Sequence, residues 1–278
     1  MAKSLVPQRF WADLKTTDFA TLPLSRVIAV LPLAATEQHG PHLPLSVDAD
    51  LCDGVVRASL AHLSDDLPAL FLPTLPVGYS PEHAAFAGTL SLRSETLIRL
   101  WTDVAESVAA SGVRKLVLFN THGGQVSAMD LVARDLRARL GLLVYSVSWF
   151  NLPLMGEDGE EVAQRFDAKE HRFGVHAGAI ETAMMRALKP DRVDMSAARD
   201  FRSSAQDRAE QFPILGNGRS AKLAWQMQDY HPSGAAGDAA SARAEDGQAL
   251  VTAAGRALAK LLSEIDQLPP ETLRNLPR

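Results

Sequence analysis

VIAVLPLAATEQHGPHLPLSVD, residues 27–48, joins an apolar run to a turn that is rich in acids and histidines. The run at 27–31 is short, β-branched and bounded by a charge and a proline, which is typical of a buried strand. Open α/β sheets place their chemistry outside the carboxyl ends of such strands. Glu37 and His39 are two residues apart, so they point to the same side if the extended geometry persists. The stretch therefore predicts a strand followed by a functional turn.

Two further clusters of the same chemical type occur later in the chain. NTHGG at 120–124 follows the apolar run 115–119, and HAGAIET at 176–182 opens an amphipathic helical pattern. Each turn taken alone is most simply a polar surface loop. Three separated clusters, two of them at predicted strand ends, favour one assembled site. Imidazole and carboxylate ligands suit zinc, manganese or iron(II), so the site is expected to hold metal.

Strands alternate with helices along most of the chain, which predicts a mostly parallel sheet covered by helices on both faces. The predicted fold class is therefore three-layer α/β/α. The chain has 278 residues, 46% of them hydrophobic, and can bury a sizeable core. This is equally compatible with one large domain and with two small ones, and one domain spanning residues 1–278 is favoured. The segment 70–78 contains two prolines, which suits an edge strand. The other predicted strands are 115–119 and 142–149, and the predicted helices are 49–63, 94–111, 125–140, one opening at His176, and 242–262.

Charge and composition argue against several classes of partner. The formal net charge of −5 gives no electrostatic case for nucleic acid, which normally requires a basic face. No stretch approaches the roughly 20 apolar residues that span a bilayer, so no membrane partner is expected. The single Cys52 cannot form an internal disulfide and most simply packs in the core. A small-molecule partner and a cytoplasmic location are the resulting expectations.

The roles of three parts of the chain stay open at this point. Asp48 would lie at the start of the helix 49–63, where an N-cap role competes with metal ligation. The charged stretch 156–173 is either a solvated helix or loop, or a functional lid. His176 and Glu181 would point about 140° apart within one helix. They can therefore serve one site only if His176 lies at or just before the start of that helix.

Together these clusters resemble the creatininase (creatinine amidohydrolase) family over residues 25–260. The resemblance implies an α/β protein with a two-metal hydrolytic site. The motifs that carry it are EQHGPHLP at 37–44 with Asp48, EH at 82–83 with FAGT at 86–89, NTHGG at 120–124, HAGAIET at 176–182, and SGAAGD at 233–238.

Carried over by position, the resemblance makes Glu37 and His122 ligands of one metal ion. It makes His39 a ligand of the other ion, with Asp48 bridging both, and it makes His176 the candidate general acid/base. A carboxylate between two ions holds them about 3.5–4 Å apart, and coordination can bring the pKa of a bound water down to about 7. The implied cofactors are two divalent ions, either zinc, manganese or iron.

The sequence departs from the family pattern at Gly124. Creatinine-hydrolysing members have an acidic ligand two residues after the second-motif histidine, so creatinine becomes a less favoured substrate. The pattern fits the broader His-Gly-Gly branch, with its formamide-type deformylases and peptide-processing members. The second ion then needs a ligand besides His39 and Asp48, since catalytic sites usually keep about three protein ligands and an open position for water. Glu181 is the best candidate, with the alternative that it only interacts favourably with the helix dipole.

The expected activity is hydrolysis of a non-peptide C–N bond, in a cyclic amide or a formamide, by a metal-activated water. The first alternative is a peptidase-like member of the family that trims a small peptide. The alternative from another class is a non-catalytic ligand-binding protein whose metal site is degraded at Gly124. The resemblance also implies a homo-oligomer, and a hexamer is the expected size.

Overall fold

A parallel sheet lies at the centre of the structure, which is a computed structural model that describes residues 5–274. The strands are β1 (Ile28–Leu33), β2 (Ala69–Phe71), β3 (Lys115–Asn120), β4 (Leu143–Ser148), β5 (Asp200–Phe201) and β6 (Gly237–Asp238). The helices are α1 (Val47–Leu60), α2 (Ser94–Ala110), α3 (Val126–Leu140), α4 (Ala168–Phe173), α5 (Ala179–Leu188), α6 (Ala205–Gln211), α7 (Met227–Tyr230) and α8 (Ala244–Gln267). None of these helices is both long enough and apolar enough to cross a membrane.

The sheet has the order β2-β1-β3-β4, with every neighbouring pair parallel. Ile28 and Val30 of β1 pack in the core that contains α1, α5 and α8, whereas Ala29 and Leu31 pack in the core that contains α2 and α3. All residues of β1 are buried, which explains why the strand reads as a continuous apolar run. The prediction of a mostly parallel sheet between two layers of helices is confirmed.

Pro32 lies inside β1, whereas the sequence predicts that the strand stops before it. The nitrogen and carbonyl of a strand residue point to the same side, and the Pro32 carbonyl accepts a hydrogen bond from the Leu75 amide at 3.0 Å. That side faces the edge strand β2, whose pairing with β1 already ends at Val30. The proline ring therefore removes no hydrogen bond to β3. As a result β1 continues to Leu33 and ends level with Asn120 of β3.

Two helix starts decide where candidate ligands lie. α1 begins at Val47 and has Ser46 at its N-cap position, so the N-cap alternative for Asp48 is wrong. Asp48 instead lies buried in the first turn. α5 begins at Ala179, so His176 lies just before the helix, which is the condition under which His176 and Glu181 can serve one site.

The charged stretch 156–173 consists of turns, a short 3-10 helix and α4, and most of it is exposed. Among the charged residues of the stretch, Glu170 is the exception, because its side chain is buried. One carboxylate oxygen accepts a hydrogen bond from the Ala179 amide at 2.6 Å, and the other accepts one from the Asp238 amide at 3.0 Å. Part of the stretch therefore ties α4 to the start of α5 and to β6, a role that neither alternative from the sequence includes.

Candidate metal centre

The candidate ligands come from the carboxyl ends of the two central strands. β1 leads to Glu37 and His39, and the parallel strand β3 leads to His122. Because the two strands end at the same level, both turns leave the sheet at the same edge. The first turn of α1 adds Asp48, and the segment around the start of α5 adds its own histidine and glutamate. All six residues predicted from the sequence lie in one cluster.

Among residues 5–274, three groups of donor atoms lie close enough together to hold an ion, with the atoms of each group within 4.8 Å of one another. The groups are Glu37 with Asp48 and His122, His39 with Asp48 and Glu181, and Glu37 with His39 and His176. Asp48 belongs to the first two groups, so its carboxylate is within reach of the donor atoms of both. The third group competes with the role of His176 as a proton carrier, since it presents the same ring as a ligand.

Three donor atoms in this cluster are buried without a hydrogen-bond partner: Glu37 Oε2, His39 Nε2 and Asp48 Oδ2. A buried polar atom left unpaired costs about 1–3 kcal/mol, so native proteins rarely leave several together. His39 Nε2 lies 3.9 Å from both Asp48 Oδ2 and Glu181 Oε2, too far for hydrogen bonds. The spacing and the chemistry of these atoms fit divalent ions between them.

Both candidate ligand histidines are oriented through the nitrogen that faces away from the cluster. His39 donates a hydrogen bond from Nδ1 to the Glu37 carbonyl at 3.0 Å. The lone pair on Nε2 is therefore available to ligate a metal ion. His122 donates from Nε2 to the Tyr79 carbonyl at 3.0 Å, which turns Nδ1 toward Glu37 Oε1 at 3.3 Å. A backbone carbonyl on the second nitrogen is the usual way in which proteins fix the tautomer of a metal-ligating histidine.

His83 is a site residue to which the sequence assigned no role. Its Nε2 lies 3.2 Å from Glu37 Oε1, and its ring is buried. Gln38 donates from its amide to His83 Nδ1 at 2.7 Å, while the Gln38 side-chain oxygen accepts from the Gly40 amide. Because Nδ1 accepts, Nε2 carries the hydrogen and points it at Glu37. The EH pair at 82–83 was the available signal, since it belongs to a quoted motif.

His176 keeps one nitrogen free beside the cluster. Its Nε2 lies 2.7 Å from the backbone carbonyl of Gln38, so this nitrogen carries the hydrogen and donates it. Its Nδ1 therefore has a lone pair, and it lies 3.7 Å from Glu37 Oε1. That nitrogen can accept a proton in the cavity or bind an ion in the third donor group.

The turn before α5 brings His176 and Glu181 to the same side. Ala177 between them has a φ of 52°, and a non-glycine residue in this left-handed region costs about 1–2 kcal/mol. Glu181 Oε2 accepts a hydrogen bond from the Ala177 amide at 2.6 Å, which stabilises that turn. The same carboxylate is part of the second donor group. Glu181 thus lies in the first turn of a helix, and it also faces the cluster.

The charges in the cluster are strongly coupled. Burial alone would raise the pKa of Glu37, but His122, and after it His83 and His176, together outweigh burial and hold the pKa of that carboxyl well below its usual range. Burial likewise opposes the charge on His122, yet Glu37 and then Asp48 raise its pKa to about 10. Burial, and then repulsion from Glu37, raise the pKa of Asp48. Burial lowers the pKa of His39, which keeps that imidazole neutral and able to ligate.

The cluster opens into a cavity of about 590 Å³. This volume falls within the range of small-molecule sites, about 300–1,000 Å³. Its wall combines the charged groups with apolar and aromatic side chains, including Val175, Leu223 and Trp225. The Trp225 ring packs against Tyr230, with ring centroids 4.8 Å apart. A small polar substrate with an apolar part would be accommodated here.

Sequence comparison relates the chain to enzymes that hydrolyse amides and peptides. The creatininase family profile, described as creatinine amidohydrolase, matches residues 12–262. A mycofactocin precursor peptide peptidase from Mycobacterium tuberculosis is 32% identical over 247 residues, which cover 87% of this chain and 86% of that protein. A creatinine amidohydrolase from Pseudomonas putida is 29% identical over 197 residues, which cover 67% of this chain and 74% of that protein.

Solved structures with the same fold include metal-containing forms of creatininase. A manganese form is similar with a TM-score of 0.70 at 25% identity, covering 94% of this chain and 100% of that one. A zinc–zinc form of a creatininase variant has a TM-score of 0.71 at 25% identity, covering 96% and 100% of the two chains. The fold described above is therefore shared over nearly the whole length of both chains.

Proposed function

The chain belongs to the creatininase family, and we propose that it is a metal-dependent amidohydrolase that cleaves a non-peptide C–N bond with a metal-activated water. The observation that carries this proposal is the pair of donor groups that share Asp48. Glu37 and His122 complete one ion position, and His39 and Glu181 complete the other. Buried, unpaired donor atoms lie in both groups. Their mixture of imidazole and carboxylate suits zinc, manganese or iron(II).

Bound in these positions, two divalent ions supply a nucleophilic water at neutral pH and withdraw charge from the amide carbonyl. The side chains of the protein hold the arrangement. His83 holds the Glu37 carboxylate in place. Asp48, which both donor groups share, holds the two ion positions next to each other. His176 Nδ1 accepts the proton that the water loses and delivers it to the departing nitrogen, an effect typically worth about 10²–10⁴-fold in rate.

The proposed substrate is a small cyclic amide or a formamide. A cavity of about 590 Å³ suits a small molecule, and the creatinine amidohydrolase relative acts on a small substrate according to its name. Gly124 stands where creatinine-hydrolysing members are expected to have an acid, so an amide other than creatinine is proposed.

The second candidate function is cleavage of a small peptide. The specific observation that favours it is the 32% identity to a peptide peptidase over 87% of this chain. Val175 and Leu223 at the cavity are also about half exposed, at 49% and 52%, and could contact an apolar peptide side chain. The non-catalytic alternative is the least favoured, because the donor atoms for both ion positions are present without any contribution from Gly124.

A metal-reconstitution assay with a substrate panel tests the proposal. The protein is stripped with a chelator, reloaded with zinc, manganese or iron(II), and assayed against lactams, formamides and short peptides. We expect two ions per chain and metal-dependent turnover of a lactam or a formamide. Turnover of peptides alone would establish the second candidate. Ligand binding without bound metal or turnover would establish the non-catalytic function.

We also propose that the hydrolase domain spans residues 1–278 and assembles as a homo-oligomer, with a hexamer as the expected size. Several apolar side chains on the described surface are exposed, including Leu131, Ile214 and Leu215 at 58%, 65% and 61%. Closed symmetric assemblies are common among soluble enzymes. Light scattering at micromolar concentration tests this, and a monomer would contradict it. The cytoplasmic location remains a prediction from the sequence.

A further inference from the structure

Glu82 is an acid in the cavity that belongs to none of the three donor groups. It lies in the short 3-10 helix Pro81–His83, and only 10% of its side chain is exposed. Its Oε1 lies 3.5 Å from His122 Nε2, the nitrogen that faces away from the ion position. The Tyr79 carbonyl at 3.0 Å and the Ser80 hydroxyl at 3.4 Å approach the same nitrogen. Three oxygens from one short loop therefore surround the outer edge of the His122 ring.

The same 3-10 helix contacts two members of the first donor group, His122 and Glu37. Its Glu82 side chain approaches His122, and its His83 side chain approaches Glu37 at 3.2 Å. The helix thus contacts, through adjacent side chains, two residues that follow different strands of the sheet. Such outer partners orient metal ligands and raise their basicity, and their loss typically costs about 10–100-fold in metal affinity.

Gly124 leaves the space that the Glu82 carboxylate occupies. A Cβ at position 124 would lie 1.8 Å from Glu82 Oε1 and 2.6 Å from His122 Nε2, closer than any real contact. The neighbouring Gly123 differs, since a Cβ there would have no atom within 4 Å. The side-chain space next to His122 is therefore filled by a carboxylate that comes from another part of the chain.

We infer that Glu82 is a positioning residue that holds His122 for metal binding, and that position 124 must be glycine because the Glu82 carboxylate fills the space of its side chain. The negative charge beside Nε2–H strengthens Nδ1 as a donor toward the ion. This inference rests on the proposed function, since it requires an ion in the group of Glu37, Asp48 and His122.

The charge is tested with Glu82→Gln, which keeps the shape of the side chain. Stepwise Kd values for Zn²⁺ and Mn²⁺ are measured by calorimetry, and the Co²⁺ form is examined by visible absorption. We expect one of two Kd values to rise about 10–100-fold and the Co²⁺ spectrum to change, while the metal-free Tm stays unchanged. Glu82→Asp, which keeps the charge, should recover part of the affinity.

The space is tested with the adjacent glycines as a matched pair. Gly124→Ala should lower the affinity for the same ion, because the added Cβ displaces Glu82 and His122. Gly123→Ala should bind both ions with the affinity of the parent protein. Unchanged metal affinity in Glu82→Gln would overturn the inference, whether or not KM changes. The proposed function would survive that result if the parent still binds two ions and turns over its substrate. A parent that binds no ion would overturn both.

Discussion

Asp48 is the residue on which both proposed ion positions depend, because it belongs to two donor groups at once. Asp48→Asn keeps the shape of the side chain but removes the charge that a bridging ligand needs. We expect the metal content to fall below two ions per chain and turnover to fall by at least about 100-fold, since even outer partners of ligands cost 10–100-fold. Elemental analysis and a rate measurement on the same sample check this.

Asp50→Asn is the matched control for that variant. Asp50 lies in the same first turn of α1, but its carboxylate binds the Ser46 hydroxyl and faces Arg192. Both variants lose one favourable charge near a helix N-terminus, an effect of about 0.3–1 kcal/mol. If Asp48→Asn keeps both ions and full turnover, as the control should, the bridging role is refuted.

His176→Ala separates proton transfer from ligation. Because the ring presents a free Nδ1 to the cavity and its other nitrogen donates to Gln38, we expect two ions to stay bound while turnover falls by about 10²–10⁴-fold. His171→Ala is the control, since that histidine is exposed on α4 and its ring bonds the Ala163 carbonyl. Loss of one ion per chain would instead assign His176 to the donor group with Glu37 and His39.

Metal affinity should depend on pH through His122. Its pKa is raised to about 10 by Glu37 and Asp48 against the effect of burial, so the metal-free protein holds a proton there at neutral pH. A ligating imidazole must be neutral, so binding at pH 7–8 should release about one proton from this residue. Because protons compete below that pKa, affinity should strengthen as pH rises, by about tenfold per unit.

Calorimetry in buffers of different ionisation enthalpy measures this proton release directly. Asp48, whose pKa is raised by burial and by Glu37, should add to the protons released as the pH is lowered. Affinity that stays constant between pH 7 and pH 9, with no proton released, would show that His122 is already neutral before an ion binds.

At the scale of elements, α8 fixes the helices that carry the ligands. A Cβ at Gly247 of α8 would lie 1.9 Å from the Ala183 carbonyl oxygen of α5, so the two helices meet through backbone. We expect Gly247→Ala to lower the free energy of unfolding by about 1–3 kcal/mol through overpacking. It should also weaken metal binding, because α5 carries Glu181.

Urea unfolding of the metal-free protein measures the effect, with Lys260→Ala on the exposed side of α8 as the control, expected within about 0.5 kcal/mol. The sign of the change in the free energy of unfolding is informative, because helix propensity alone favours alanine over glycine by about 1 kcal/mol. A stabilised Gly247→Ala variant would show that helix propensity outweighs the close approach of α8 to α5.

The elements also explain how much of the site the sequence could predict. Glu37, His39 and His122 were predictable because each follows a strand whose apolar run is visible. The roles of the residues at 82–83 were not, because they lie in an irregular loop that follows a proline-containing segment. That loop is joined to the first motif by a bridge between Thr36 and Leu90, a long-range contact that no local pattern indicates.

Two details of the fold depended in the same way on tertiary contacts. Pro32 is tolerated inside β1 only because β2 ends early, and the length of β2 could not be read from its own residues. Glu170 lies in the most charged stretch of the chain, yet it is buried because backbone amides of α5 and β6 bind its carboxylate. Local charge could not reveal partners that are distant in sequence.

In the molecule as a whole, the sheet and helices bring the two proposed ion positions together on either side of Asp48. Anomalous diffraction from crystals grown with Mn²⁺ or Zn²⁺ tests this most directly. We predict two peaks about 3.5–4 Å apart, one beside Glu37 and His122 and one beside His39 and Glu181, with the Asp48 carboxylate between them. A single peak, or peaks away from Asp48, would show that Asp48 does not join two ion positions.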